Sequence, residues 1–138
     1  MSGAPAIDWA ELERIALEVR RRAHAPYSRY QVGAALLGRS GAVYAGCNVE
    51  NASYGLALCA ERSAVARMVA EGEREPVAIV IATLGPKAGS PCGMCRQTLA
   101  EFALDMPVRL IVDGDPLERV DTTLELLLPL AFRADKLP

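Results

Sequence analysis

Between Asp8 and Ala25 the apolar positions fall at Trp9, Leu12, Ile15, Ala16, Val19 and Ala23, the spacing of one helix face. Asp8 followed three residues later by Glu11 matches a capping box at the start of that helix. Pro26 of "APYS" predicts its end, because proline disfavours helical backbone at the residue before it. "QVGAALLG" and "AVYAGCNVE", joined by "RSG", read as the two strands of a hairpin. "NASYGLAL" reads as a loop and "CAERSAVARMVAEG" as a helix ending near Gly72. "PVAIVIATL" is β-branched and apolar, as expected of a strand buried on both faces. A loop of Gly, Pro and Ser then leads to a helix in "CGMCRQTLAEFAL" and a second buried strand in "PVRLIVD". "TTLELLLPLAF" predicts a short helix stopped near Pro129. The order α-β-β-α-β-α-β-α predicts an α/β fold, a mixed sheet with helices on both faces.

Composition sharpens this picture. A chain of 138 residues, 51% apolar and without repeats or a long linker, is expected to form a single domain over residues 1–138. Aromatics are 5% of it, so aliphatic side chains must build most of the core. No apolar run approaches the roughly 18 residues of a membrane span. "MSGAPAIDWAELE" lacks the charged and apolar regions of a signal peptide, so the expectation is a cytoplasmic protein with no membrane partner.

That compartment changes how the four cysteines read, since reducing conditions favour metal ligands or catalytic thiols over disulfides. The net charge of −2 argues against a nucleic-acid partner. The one basic cluster, Arg20 to Arg22, fits a solvated helix end favoured by the macrodipole.

Cys59 in "LCAER" and Cys92 in "SPCGMCRQ" both fall where a loop enters a helix. Unpaired N–H groups and the positive end of the helix dipole favour a thiolate there. Cys95 lies one turn after Cys92 on the same face. Three cysteines with one C-x-x-C pair suit Zn2+, and three ligands leave a fourth position for water, which can ionise near neutral pH. A carboxylate must then move the proton, and Glu61 is fixed two residues beyond Cys59.

C-A-E followed by P-C-x-x-C resembles the signature of the zinc deaminases. With "APYSRYQVGAALL", "GCNVENASYGL" and "LLPLAF" in order, most of residues 25–132 is similar to the small, tetrameric cytidine deaminases. The resemblance implies a three-layer α-β-α fold with a mixed, about five-stranded sheet. It implies hydrolytic deamination of cytidine and 2′-deoxycytidine, with release of ammonia, in pyrimidine salvage. Cys59, Cys92 and Cys95 would bind zinc, and Glu61 would carry protons to the pyrimidine N3 and then to the departing ammonia. Asn48 and Glu50 would hydrogen-bond the ribose, the backbone at Ala60 and Ser90 would contact the base, and Tyr30 would lie against it. Phe132 would close a neighbouring subunit's site, so a homotetramer with sites at subunit interfaces is implied. Arg62 would donate to the ligand sulfurs and draw off the electron density of three thiolates. Two positions depart from the family: Tyr30 stands where phenylalanine is usual, and Leu130 where glycine is frequent.

Spacing adds its own expectation for "CNVEN": Asn48 and Glu50, two apart on a strand, leave one face while Val49 points into the core. Other readings stay open at this stage. Cys47 as a fourth ligand would make a closed structural site, and a zinc-stapled interaction module would need no Glu61 chemistry. Deamination of blasticidin S, or of RNA or DNA, would use the same two motifs. Cys47 otherwise fits a small core residue, and His24, the only histidine, a surface position at a helix end.

Overall fold

A computed structural model describes residues 3–138; Met1 and Ser2, which the single-domain expectation includes, lie outside the described residues. Helix α1 spans Trp9–Arg20, strands β1 and β2 span Gly33–Gly38 and Val43–Cys47, and helix α2 spans Ala60–Ala70. Strand β3 (Pro76–Thr83), helix α3 (Gly93–Ala100) and strand β4 (Pro107–Val112) follow. The chain closes with β5 (Glu118–Thr123) and the single turn α4 (Leu124–Leu127). The sheet runs β2-β1-β3-β4-β5, with β3 and β4 parallel and every other neighbouring pair antiparallel.

Alternation along the strands sorts the core into two layers. Ala34, Leu36, Ile79, Ile81, Val108 and Leu110 pack with Ala64, Val65 and Met68 of α2 and Leu99 of α3. Ala35, Leu37, Ala78, Val80, Ala82 and Ile111 pack with Leu12 and Ala16 of α1. The three-layer α-β-α expectation therefore holds, with α1 on one face of the sheet and α2 and α3 on the other. Helix α2 lies close to β2 because Gly46 has no side chain: a Cβ there would stand 2.4 Å from the Ala64 nitrogen. That contact anchors the start of α2 against the sheet, beside the cysteines.

Three local expectations need correction. The first helix stops at Arg20 rather than at the residue before Pro26. The His24 N–H donates to the Asn48 carbonyl (3.1 Å) and the Glu50 N–H to the His24 carbonyl (2.7 Å), so backbone pairing with residues 48–50 replaces the last helical turn. The second strand stops at Cys47, and Val49, held only by isolated bridges to His24 and Leu58, is 43% exposed and not in the core. "ERVDTT", which showed no strand pattern, forms β5, the fifth strand that the resemblance implied. A charged edge needs no apolar alternation: Asp121 accepts two hydrogen bonds from Arg109 on β4, and Arg119 reaches Glu13 on α1.

Candidate active site

The two helices that carry the cysteines start in the same way. Cys59 and Cys92 are the N-cap residues of α2 and α3, both in extended backbone, and neither helix has a side-chain cap hydrogen bond. Their open N–H groups and positive ends converge on the thiols. The Sγ atoms of Cys59, Cys92 and Cys95 all lie within 4.8 Å of one another, and those of Cys92 and Cys95 are 3.7 Å apart. Sulfurs about 2.3 Å from a tetrahedral zinc stand roughly 3.8 Å apart, so the cluster fits this ion with little movement. Cys47 is not part of the cluster, which weighs against a closed four-sulfur site.

The protonation of these groups follows from their crowding. Hydrogen bonding with Cys95, opposed by burial and reinforced by Arg62, lowers the Cys59 thiol to about 5. The same sharing, with burial and the Glu61 charge, pushes the Cys95 thiol up. Burial works against the Arg62 charge, yet interaction with the Cys59 sulfur and then Cys95 raises its pKa. Arg62 Nη2 donates to the Ala57 carbonyl (3.0 Å), while its Nε is buried without a partner, a donor suited to thiolate acceptors. Glu61, 5% exposed in the first turn of α2, is raised first of all by burial and further by the Cys59 charge.

Glu61 opens onto a cavity of about 200 Å³. Cys59, Ala60, Cys92, Ser90, Asn48 and Tyr30 line it, joined by Val32, Ile81, Thr83 and Gly89. Asn48 is fixed at both ends of its amide: Oδ1 accepts from the Val32 N–H and Nδ2 donates to the Tyr30 carbonyl, each at 2.8 Å. One Nδ2 hydrogen remains for another acceptor.

Glu50 does not share that cavity. It lines an adjoining recess of about 390 Å³ with Tyr27, Ser28, Asn51, Tyr54 and Ala57. Its carboxylate accepts from the Tyr27 N–H (2.9 Å), the Ser28 N–H (3.2 Å) and the Ser28 hydroxyl. The Ser28 hydroxyl is the main cause of a lowered pKa, with the two N–H donors adding to it. Residues 48–50 stay in extended pairing through the Val49 bridges to His24 and Leu58, and the side chains of Asn48 and Glu50 both bond the segment 27–32.

Phe132 lines neither recess and is 59% exposed. Gln97 Nε2 donates to its carbonyl (2.8 Å), which ties the C-terminal segment to α3. Leu130, wholly exposed, has φ +56°, the left-handed region where glycine is at ease and a Cβ is crowded. Sequence reasoning missed Ser28 as the partner of Glu50 and Thr83 as a cavity wall, while Arg96 and Gln97 read from the sequence as supports of the helix that carries them. Arg96 donates to the Pro91 carbonyl (2.7 Å), the Leu127 carbonyl (2.7 Å) and Ser90 Oγ (3.1 Å), holding the loop before Cys92 against the end of α4. Thr83 had a signal, since it is the polar residue that ends an otherwise apolar strand.

Residues 8–110 match the family model described as the cytidine and deoxycytidylate deaminase zinc-binding region. The chain is 45% identical over 131 residues to a cytidine deaminase of Halalkalibacterium halodurans, covering 94% of this chain and 97% of that one. It is 40% identical over 139 residues to a cytidine deaminase of Mycobacterium tuberculosis, covering 97% and 96%. The crystal structure of a cytidine deaminase from Burkholderia pseudomallei superposes with a TM-score of 0.86 at 40% identity, covering 91% of this chain and all of that one.

Proposed function

The chain belongs to the cytidine and deoxycytidylate deaminase family, and on that premise we propose that it hydrolyses cytidine and 2′-deoxycytidine to the uridines with release of ammonia. The observation that carries this reading is the cluster of three sulfurs at two helix starts, with a buried carboxyl on the same cavity wall. Cys59, Cys92 and Cys95 would hold Zn2+, which supplies electrophilic activation of a water molecule.

The remaining work falls to side chains. Glu61 takes the proton of the attacking water and passes it to N3 as the C4–O bond forms. The second proton goes to the amino group as the C4–N bond breaks, and neutral ammonia leaves. Burial suits Glu61 to both directions, because a raised pKa brings the carboxyl nearer to the groups it exchanges with. Asn48, locked by Val32 and Tyr30, offers its free N–H to the ribose, and Glu50, held ionised by Ser28, offers carboxylate lone pairs to the hydroxyls. Such pre-set groups reduce the entropy cost of orienting a small substrate. The backbone at Ala60 and Ser90 and the ring of Tyr30 meet the base, all three being on the cavity lining. Arg62 draws charge from the thiolates, which its buried, unpartnered Nε supports.

Residues 1–138 form one deaminase domain in this reading, supported by a single sheet and a family match over most of the chain. A homotetramer would account for exposed apolar side chains such as Tyr54 (78% exposed), Leu56, Met94 and Phe132. Phe132 would then act in a neighbouring subunit. Among the described residues no helix is long and apolar enough to cross a membrane. Work in the cytoplasm, in pyrimidine salvage, completes the proposal. Parallel steady-state assays with cytidine, deoxycytidine and blasticidin S test it. The two nucleosides should be the better substrates, and greater efficiency on the antibiotic would overturn the assignment.

A further inference from the structure

Gly89 lies in the loop between β3 and α3, on the wall of the cavity that holds Glu61 and Asn48. A Cβ built on it would stand 2.4 Å from the Tyr30 hydroxyl and 3.0 Å from Thr83 Cγ2. The Gly89 N–H donates to Thr83 Oγ1 (3.3 Å), which ties this backbone to the end of β3. Tyr30 comes from a different segment, the one before β1, and its carbonyl is held by Asn48. The phenol therefore reaches from that segment to the loop before α3, and its tip occupies the place where any other residue at 89 would put its side chain.

We propose that Gly89 is a positioning residue that acts through Tyr30: the bare backbone seats the phenol tip, and the seated ring sets where the pyrimidine lies. This rests on the deaminase reading above and assigns a role to Gly89 that the three cysteines and Glu61 do not require. A methyl group at 89 leaves the tyrosine hydroxyl nowhere to go except into the cavity or outward to solvent. Because that hydroxyl is the far end of a half-exposed side chain, it can move without unfolding the loop. The cost falls on substrate placement. Removal of the hydroxyl withdraws the nearest atom by one C–O bond and leaves Thr83 Cγ2, at 3.0 Å, as the remaining close contact of the methyl.

The test is a cycle of wild type, Gly89→Ala, Tyr30→Phe and the double variant, with kcat and KM for cytidine and zinc content measured on each. Gly89→Ala should raise KM by about tenfold to a hundredfold with kcat changing less, the mark of a misplaced ring rather than lost chemistry. Tyr30→Phe, which alters a ring on the cavity lining, sets its own reference KM, and the double variant should return to within about threefold of that reference. Zinc content should be equal in all four. An unchanged KM in Gly89→Ala, or a double variant no better than Gly89→Ala, overturns the pairing. Failure of wild type to turn over cytidine would instead sink the deaminase reading. A crystal structure of Gly89→Ala then decides the seat by itself: a displaced phenol supports it and an unmoved one refutes it.

Discussion

Helix α1 and the pair α2 and α3 begin in opposite ways. At α1 the Asp8 carboxylate accepts from the Glu11 N–H at 3.1 Å, while Glu11 grips Arg14 and completes an ordinary exposed first turn. At α2 and α3 the same cap position carries Cys59 and Cys92, and no side chain caps the open N–H groups. A good cap contributes about 1 kcal/mol, so two helix starts forgo stability that the third keeps. What they gain is a pair of positive helix ends aimed at sulfur, with Glu61 inside the first turn of one of them. The face of the sheet under α1 is closed by packing and by the Glu13, Arg109 and Arg119 ion pairs. The face under α2 and α3 holds the cavity. Stability and chemistry have been given to different helix starts.

Substitutions at the two kinds of helix start should separate these roles. Cys95→Ala should have the largest effect, with zinc lost in metal analysis and deamination falling below detection, because two sulfurs no longer make a site. Glu61→Gln should keep zinc and melting temperature yet lower kcat by about 10²–10⁴-fold, the range for removing a general acid–base. Arg62→Gln should also retain zinc, with kcat reduced by about 10–100-fold, as for groups that orient and tune ligands; wild-type kcat would remove the role given to Arg62. Asp8→Ala should have the smallest effect, about 1 kcal/mol in urea unfolding with kcat unchanged. A loss of turnover in Asp8→Ala would erase the contrast between the helix starts.

Much of this site is legible in the chain because its chemistry is local. Cys59, Glu61 and Arg62 share one helical turn, and Cys92 and Cys95 another, so spacing alone orders them. The convergence of the two turns is a tertiary fact, set by Gly46 beneath α2 and by packing of both helices on one sheet face. Val49 shows where local reasoning stops. Period-two logic pointed it into the core, but beyond Cys47 the backbone pairs with His24 and Leu58 rather than with a sheet strand, and Val49 is left 43% exposed. The end of α1 was misplaced for the same reason, since Asn48 and Glu50, distant in the chain, claimed the backbone of its last turn at His24. Strand β5 carried no apolar signal because an edge strand can be held by backbone pairing and by Arg109 with Asp121. Gly89 looked like a loop residue, and only the Tyr30 hydroxyl above it gives its missing side chain a meaning. Leu130 was noticed as a bulky residue where relatives often carry glycine, and its φ of +56° supplies the physical reason for that preference.

Zinc K-edge X-ray absorption on the purified protein, paired with metal analysis, tests the central claim most directly. The account predicts one zinc per chain with three sulfur neighbours at about 2.3 Å and one oxygen or nitrogen neighbour. Four sulfur neighbours, or protein that folds and deaminates cytidine without metal, would contradict it.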